Sequence, residues 1–153
     1  GVDGRDSYEN ERISVRNKPK NGYVSVTWWG NVERHEFMDA CYWTRSNGHR
    51  LLGIYFGGTD QYPNIHFVCF YDYDPKKNTL TPEPQIIDGF RTTEDTKYYY
   101  DLPEEGKEFR ISEFGERGHY IHTFKWDGMK PVLSQSEKIE EDYEEEHCDE
   151  EEE

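Results

Sequence analysis

The chain has 153 residues, a third of them hydrophobic and 16% aromatic, with a formal net charge of −15. Residues 137 to 153 hold twelve of the acidic residues and one lysine, so −11 of that charge lies in the last seventeen positions and only −4 is spread over the rest. A near-balanced body has no broad basic face for neutralising phosphates, which excludes nucleic acid as the expected partner, and no run approaches the ~18 consecutive apolar residues that a membrane-spanning helix needs.

This length is that of one ordinary domain. With so few aliphatic residues, its core must rely on Tyr, Phe and Trp. Cys41, Cys69 and Cys148 are an odd number, too few for a disulfide framework and too scattered for a zinc site. They allow one bridge or none.

From the N-terminus onward, short alternating runs are broken by turn residues, at about 11–16, 22–29, 36–44, 50–57, 64–73, 79–87, 97–101, 107–114, 118–126 and 130–135. This spacing predicts an all-β chain, a single antiparallel β-sandwich or barrel-like meander of about 8 to 10 short strands. Residues 33–40 have helical propensity, but the alternation continues through them to Tyr42, so they read as strand. The body is assigned to residues 1–136 and an acidic C-terminal tail to 137–153, where a Ser136-capped helix would be opposed by its own charges.

Asn47-Gly48 separates two of these runs. A two-residue turn there would set Arg45 opposite Arg50, placing like charges across the ladder. A three-residue loop, with Gly48 in the left-handed region as a G1 bulge, instead pairs Thr44 with Arg50, Tyr42 with Leu52, Ala40 with Ile54 and Met38 with Phe56. One side of the hairpin is then continuously apolar. The other carries Asp39, Cys41, Trp43, Leu51, Gly53 and Tyr55, a mixture expected of a half-exposed surface or a second contact layer.

Residues 65–73 are apolar on both sides and read as a central strand. Asp74-Pro75-Lys76-Lys77-Asn78 ends it with a turn, Asn78 tolerating a left-handed backbone. Near the other end, a hairpin is expected about Asp127-Gly128, with Tyr120, His122, Phe124 and Trp126 sharing one face.

Candidate chemistry is sparse. His119 and His122 fall on opposite faces of a strand, and His35, His49 and His66 have no partner at ligand spacing, so no metal or cofactor is expected. Asp72, Asp74 and Asn78 mimic calcium-loop spacing, but the central glycine and the closing acid are missing. No nucleophile elbow is present, and neither Cys41 nor Cys69 has a basic setting.

Aromatic residues are the stronger candidates. Trp28 and Trp29 point to opposite faces of one strand, and Tyr98, Tyr99 and Tyr100 cannot all point inward. The expected site therefore consists of Trp28 or Trp29, Trp43, Tyr55 and members of Tyr98–Tyr100, with Asp39 and Arg50 giving orientation, and its expected ligand is a glycan or a surface protein. A hydrolase using paired carboxylates is the alternative, to be distinguished by a deep cleft with two converging acids.

The segments YWTRSNGHRLLGIYF, FVCFYDYDPKKNTLTPEP and YIHTFKWDGMKPV resemble uncharacterised secreted β-proteins of gut bacteria. The resemblance implies an all-β fold and an exported or lipid-anchored protein outside the cytoplasm. It implies no functional residues.

Overall fold

A computed structural model describes residues 12–29, 35–59 and 66–140. Ten antiparallel strands form two sheets within them, giving an all-β, sandwich-like fold. The first sheet has the order β1-β2-β3-β4-β5-β6, from Arg12–Lys18, Tyr23–Trp29, His35–Thr44, Arg50–Thr59, His66–Asp74 and Thr79–Pro82. The second has the order β10-β9-β8-β7, from Pro131–Ile139, Gly118–Trp126, Phe109–Gly115 and Lys97–Asp101. Within each sheet every strand pairs with its neighbour in sequence, and only the step from β6 to β7 passes from one sheet to the other. Among the described residues, no helix is long and apolar enough to cross a membrane.

The turns follow from their residues. Ser46, Asn47 and Gly48 form the loop between β3 and β4, with Gly48 at φ +91° and the Asn47 side chain accepting from the His49 N–H. The four strand pairs expected from this loop all occur. Asn78 adopts φ +55° after β5, and Asp74 accepts from the backbone N–H groups of Lys76 and Lys77. At the last hairpin Asp127 accepts from Met129 and Lys130, with Gly128 at φ +104°.

Two boundaries differ from expectation. The run at 79–87 pairs only as far as Pro82, and Pro84–Ile87 form a 3-10 turn, because two prolines remove ladder donors. Ser136 lies within β10, which continues to Ile139, so no helix starts there and the sheet takes in the first residues assigned to the tail. Residues 141–153, including His147 and Cys148, lie outside the described residues.

The core forms where the two sheets face each other. Trp43 stacks on Trp126 with centroids 5.6 Å apart and planes 9° from parallel, and Phe109 meets both Trp43 and Phe70 edge-on. Tyr55 meets Tyr100 in the same way at 5.5 Å. Leu51, Phe109, Ile111 and Ile87 are sealed among these rings. Large aromatic surfaces thus supply the burial that the few aliphatic residues cannot.

Polar anchors tie the sheets at their margins. Arg45 is buried, its guanidinium donating to Asp72, Glu83 and the Met129 carbonyl. The Trp43 indole N–H donates to the Lys107 carbonyl at 3.0 Å.

Candidate functional site

Strand register divides the six-stranded sheet into two faces. The inner one carries Tyr23, Cys41, Trp43, Leu51, Tyr55, Val68 and Phe70, all buried against the second sheet. The other is formed by the alternate residues, and no element among the described residues covers it. Across its width run Ile13 and Val15 of β1, Val26 and Trp28 of β2, Met38 and Ala40 of β3, Ile54 and Phe56 of β4, Phe67 and Cys69 of β5 and Leu80 of β6. Ile13 is 69% exposed, Phe67 45% and Trp28 41%.

The solvent side of the second sheet is different. There Arg110, Ser112, Thr123 and Lys125 alternate with the buried Phe109, Ile111 and Phe124, and Tyr99, Ile121 and the 41% exposed Phe114 lie among them, so that side is a mixture of polar and apolar residues. An apolar outer face across six strands is well beyond the scattered exposed residues common on soluble proteins.

One end of this face is shaped into a groove of about 320 Å³ between Asn17, Gly22, Val24, Ala40, Tyr42 and Leu52. Gly22 is left-handed at φ +66°, and a Cβ there would lie 2.9 Å from the Tyr42 ring, so glycine lets the ring lie over the turn. The Tyr42 N–H donates to the Gly22 carbonyl, and the Arg50 guanidinium sits 4.7 Å from the centroid of the Tyr42 ring. Asn17, Glu36, Thr44 and Arg50 supply the remaining described polar side chains of the face, apart from tyrosine hydroxyls.

The sequence-predicted residues do not converge. Trp28 and Arg50 lie on the outer face, while Trp29 lies on the inner side, half-buried under the Arg12 guanidinium. Trp43, Tyr55 and Tyr100 are core residues, so the aromatic surface expected to include them is corrected to one that does not. The Tyr55 hydroxyl lies 2.7 Å from His66 Nδ1, and that of Tyr100 donates to the Phe90 carbonyl. Burial pushes the Tyr100 phenol up to about 12 and the Tyr55 phenol higher still. Tyr98 packs against Phe90, and Tyr99 meets His66 edge-on. The register of the β3–β4 hairpin is as expected, but the side carrying Trp43 and Tyr55 is the core, and the continuously apolar side faces outward.

Asp39 is the one remaining member of the predicted set, and it belongs to a polar cleft of about 460 Å³ shared with Arg16, Tyr23, Asp101, Glu104 and Arg110. The Ser25 hydroxyl donates to Asp39 at 2.6 Å, and Arg16 and Lys18 reach Glu104 at 3.4 and 3.3 Å. Burial, reinforced by neighbouring carboxylates, raises the carboxyls of Asp39 and Asp101 above their ordinary range.

A second polar chain crosses the four-stranded sheet. His122 is buried, with Nε2 at 2.8 Å from Glu113 and Nδ1 at 2.7 Å from the Ser136 hydroxyl, and Arg117 donates to the same carboxylate. Burial opposes ionisation of Glu113, but the hydrogen bonds from His122 and Arg117 outweigh it and hold the carboxyl below its usual range. His122 thus has partners on both nitrogens, while Asp72 is engaged by Arg45 and His49, and Asn78 accepts from the Tyr73 hydroxyl. Among the described residues, no group of three His, Cys, Asp or Glu side chains is placed to hold a metal ion, and Cys41 and Cys69 are both free.

The class defined by this geometry is an all-β, sandwich-like protein with one covered and one open face on its larger sheet. The chain matches no protein-family model, no curated protein and no solved structure.

Proposed function

We propose that the chain is a non-catalytic binding module whose docking surface is the outer face of the six-stranded sheet. The observation carrying this reading is the run of apolar side chains across all six strands, with Trp28, Tyr42 and Phe67 as its large exposed rings. Removing that surface from water drives association at about 25 cal/mol per Å² before the costs of ordering, and aromatic anchors concentrate binding energy. A glycan would need hydrogen-bonding groups around its hydroxyls, and this face offers few, so the chemistry favours a protein surface. Placement outside the cytoplasm rests on the likeness of the hairpins to secreted β-proteins.

The test is a screen of protein partners and glycans with the parent chain, Trp28→Ala and Phe67→Ala, against Ser112→Ala on the opposite sheet. Loss of at least tenfold in affinity for the first two, with the third unchanged, is the expected result. Binding that survives both aromatic truncations contradicts the reading.

A carboxylate-dependent hydrolase is the second reading, favoured by one observation: Asp39 and Asp101 line the same cleft and both hold their protons more tightly than free carboxyls. It requires turnover of a glycoside or ester that Asp39→Asn and Asp101→Asn each abolish.

A further inference from the structure

The outer face carries its own clue to what covers it. Glu36 and Arg50 are the charged side chains in its strands among the described residues, and they stand at opposite ends: Glu36 pairs with Gly58 at one end of the β3–β4 ladder, and Arg50 with Thr44 at the other. Eight residues separate Glu36 from Thr44, about 26 Å at a strand rise of ~3.3 Å per residue. The ladder between β3 and β4 is also the centre of the six-stranded sheet.

From this arrangement we infer that the face is covered by the same face of a second copy of this chain, about a two-fold axis lying across the strands near the Ala40–Ile54 pair. This inference rests on reading the face as a docking surface. Such an axis reverses strand direction, bringing Glu36 of each copy to the end that holds Arg50 of the other, one strand spacing of ~4.8 Å aside and within the reach of an arginine. An axis along the strands would instead bring the two Glu36 residues to the same end. The charges therefore select one of the two face-to-face pairings.

The area agrees. Five strand spacings of ~4.8 Å by ~26 Å give about 600 Å² per copy, before the side chains of Ile13 and Leu80 at the edges are added, close to the ~800 Å² per partner of a stable interface. Two sheets meeting in this way pack as in a β-sandwich, with apolar side chains interdigitating. Most of the net negative charge belongs to residues 137–153, the first three of which end β10 of the other sheet, and salt screens what repulsion they exert.

Sedimentation equilibrium of the full chain at micromolar concentrations, at low and physiological salt, tests this, with an anilinonaphthalene sulfonate dye as a probe for exposed apolar surface. The dimer mass is expected, with Ile54→Lys raising the dissociation constant at least ~100-fold. Glu36→Arg and Arg50→Glu should each weaken the dimer about tenfold, and the double exchange should restore it. If Ile54→Lys fails to fold by circular dichroism, Phe67→Lys takes its place. A monomer that binds the dye, and loses that binding on substitution, overturns the second-copy inference but leaves the docking face standing. A monomer that binds no dye overturns both. A dimer indifferent to all these substitutions overturns the inference by locating its interface elsewhere.

Discussion

Arg45 and Glu83 form a two-pronged ion pair, with Nη1 2.9 Å from Oε2 and Nη2 2.8 Å from Oε1, at the end of the β3 strand. Nη1 also donates to Asp72, and Nε to the Met129 carbonyl, so one buried side chain joins β5, the segment after β6 and the last hairpin. The guanidinium is the partner shared by both carboxylates, with His49 as a second neighbour of Asp72. Arg45→Met should therefore cost about 3–5 kcal/mol, since it leaves two carboxylates with their main partner gone. Urea unfolding checks this, and a loss below ~1 kcal/mol would show that water replaces the arginine.

Glu113 gives the fold an acid sensitivity with a definite sign. Its carboxyl is held below the ordinary range in the folded chain, so the stability it contributes is present above the unfolded value and lost as pH falls through the folded one. In Glu113→Gln, stability measured by urea unfolding should be lower at neutral pH, with a shallower decline below pH ~4.5. An unchanged acid limb would mean that Glu113 does not carry it.

Asp39 acts in the opposite sense. Its folded value is raised, so the folded state binds the proton more tightly, and stability falls as pH rises from the unfolded value through the folded one. Asp39→Asn should flatten that decline while keeping the Ser25 contact through its amide oxygen. The same unfolding series reads the result, and a slope identical to that of the parent chain contradicts it.

Trp28 and Trp43 should separate stability from binding. Trp43 is 3% exposed, stacked on Trp126 and hydrogen-bonded through its indole, so Trp43→Ala should cost about 3–5 kcal/mol. Trp28→Ala removes a ring that is 41% exposed and should cost less, about 1 kcal/mol. Chemical denaturation of both variants, with acrylamide quenching of the remaining fluorescence, distinguishes them. Equal losses would place Trp28 in the core.

Gly57 makes a sharper packing prediction. A Cβ there would lie 2.5 Å from Phe37 Cζ and 2.8 Å from His66 Nδ1, so Gly57→Ala must displace a ring that packs on Tyr55. A cost of about 1–3 kcal/mol is expected. Gly53→Ala, where the nearest atom is 3.1 Å away in Phe70, provides the milder comparison in the same thermal melt.

Much of the architecture was legible because strand periodicity and turn chemistry are local. Gly48, Asn78 and Gly128 each marked a backbone reversal, and rejecting Arg45 opposite Arg50 was enough to set the β3–β4 register. Which side of that hairpin is covered was not legible. Both sides carry apolar residues, and the choice depends on Tyr100, Phe109, Ile111 and Phe124 arriving from a second sheet more than forty residues away in sequence. The Arg45 cluster was missed for the same reason, since Asp72, Glu83 and Met129 are brought to it only by tertiary pairing. A clue was nevertheless present: Trp43, the largest side chain of the hairpin, lies in the inner row.

Hydroxyl-radical footprinting at rising protein concentration, with and without a captured partner, tests the open face of the six-stranded sheet most directly. In dilute chain, Trp28, Tyr42 and Phe67 should oxidise readily while Trp43 stays protected, and association should shield the first three together. Protection that falls instead on Asp101, Glu104 and Arg110, with the outer rings still reactive, would contradict the account and move the site to the polar cleft.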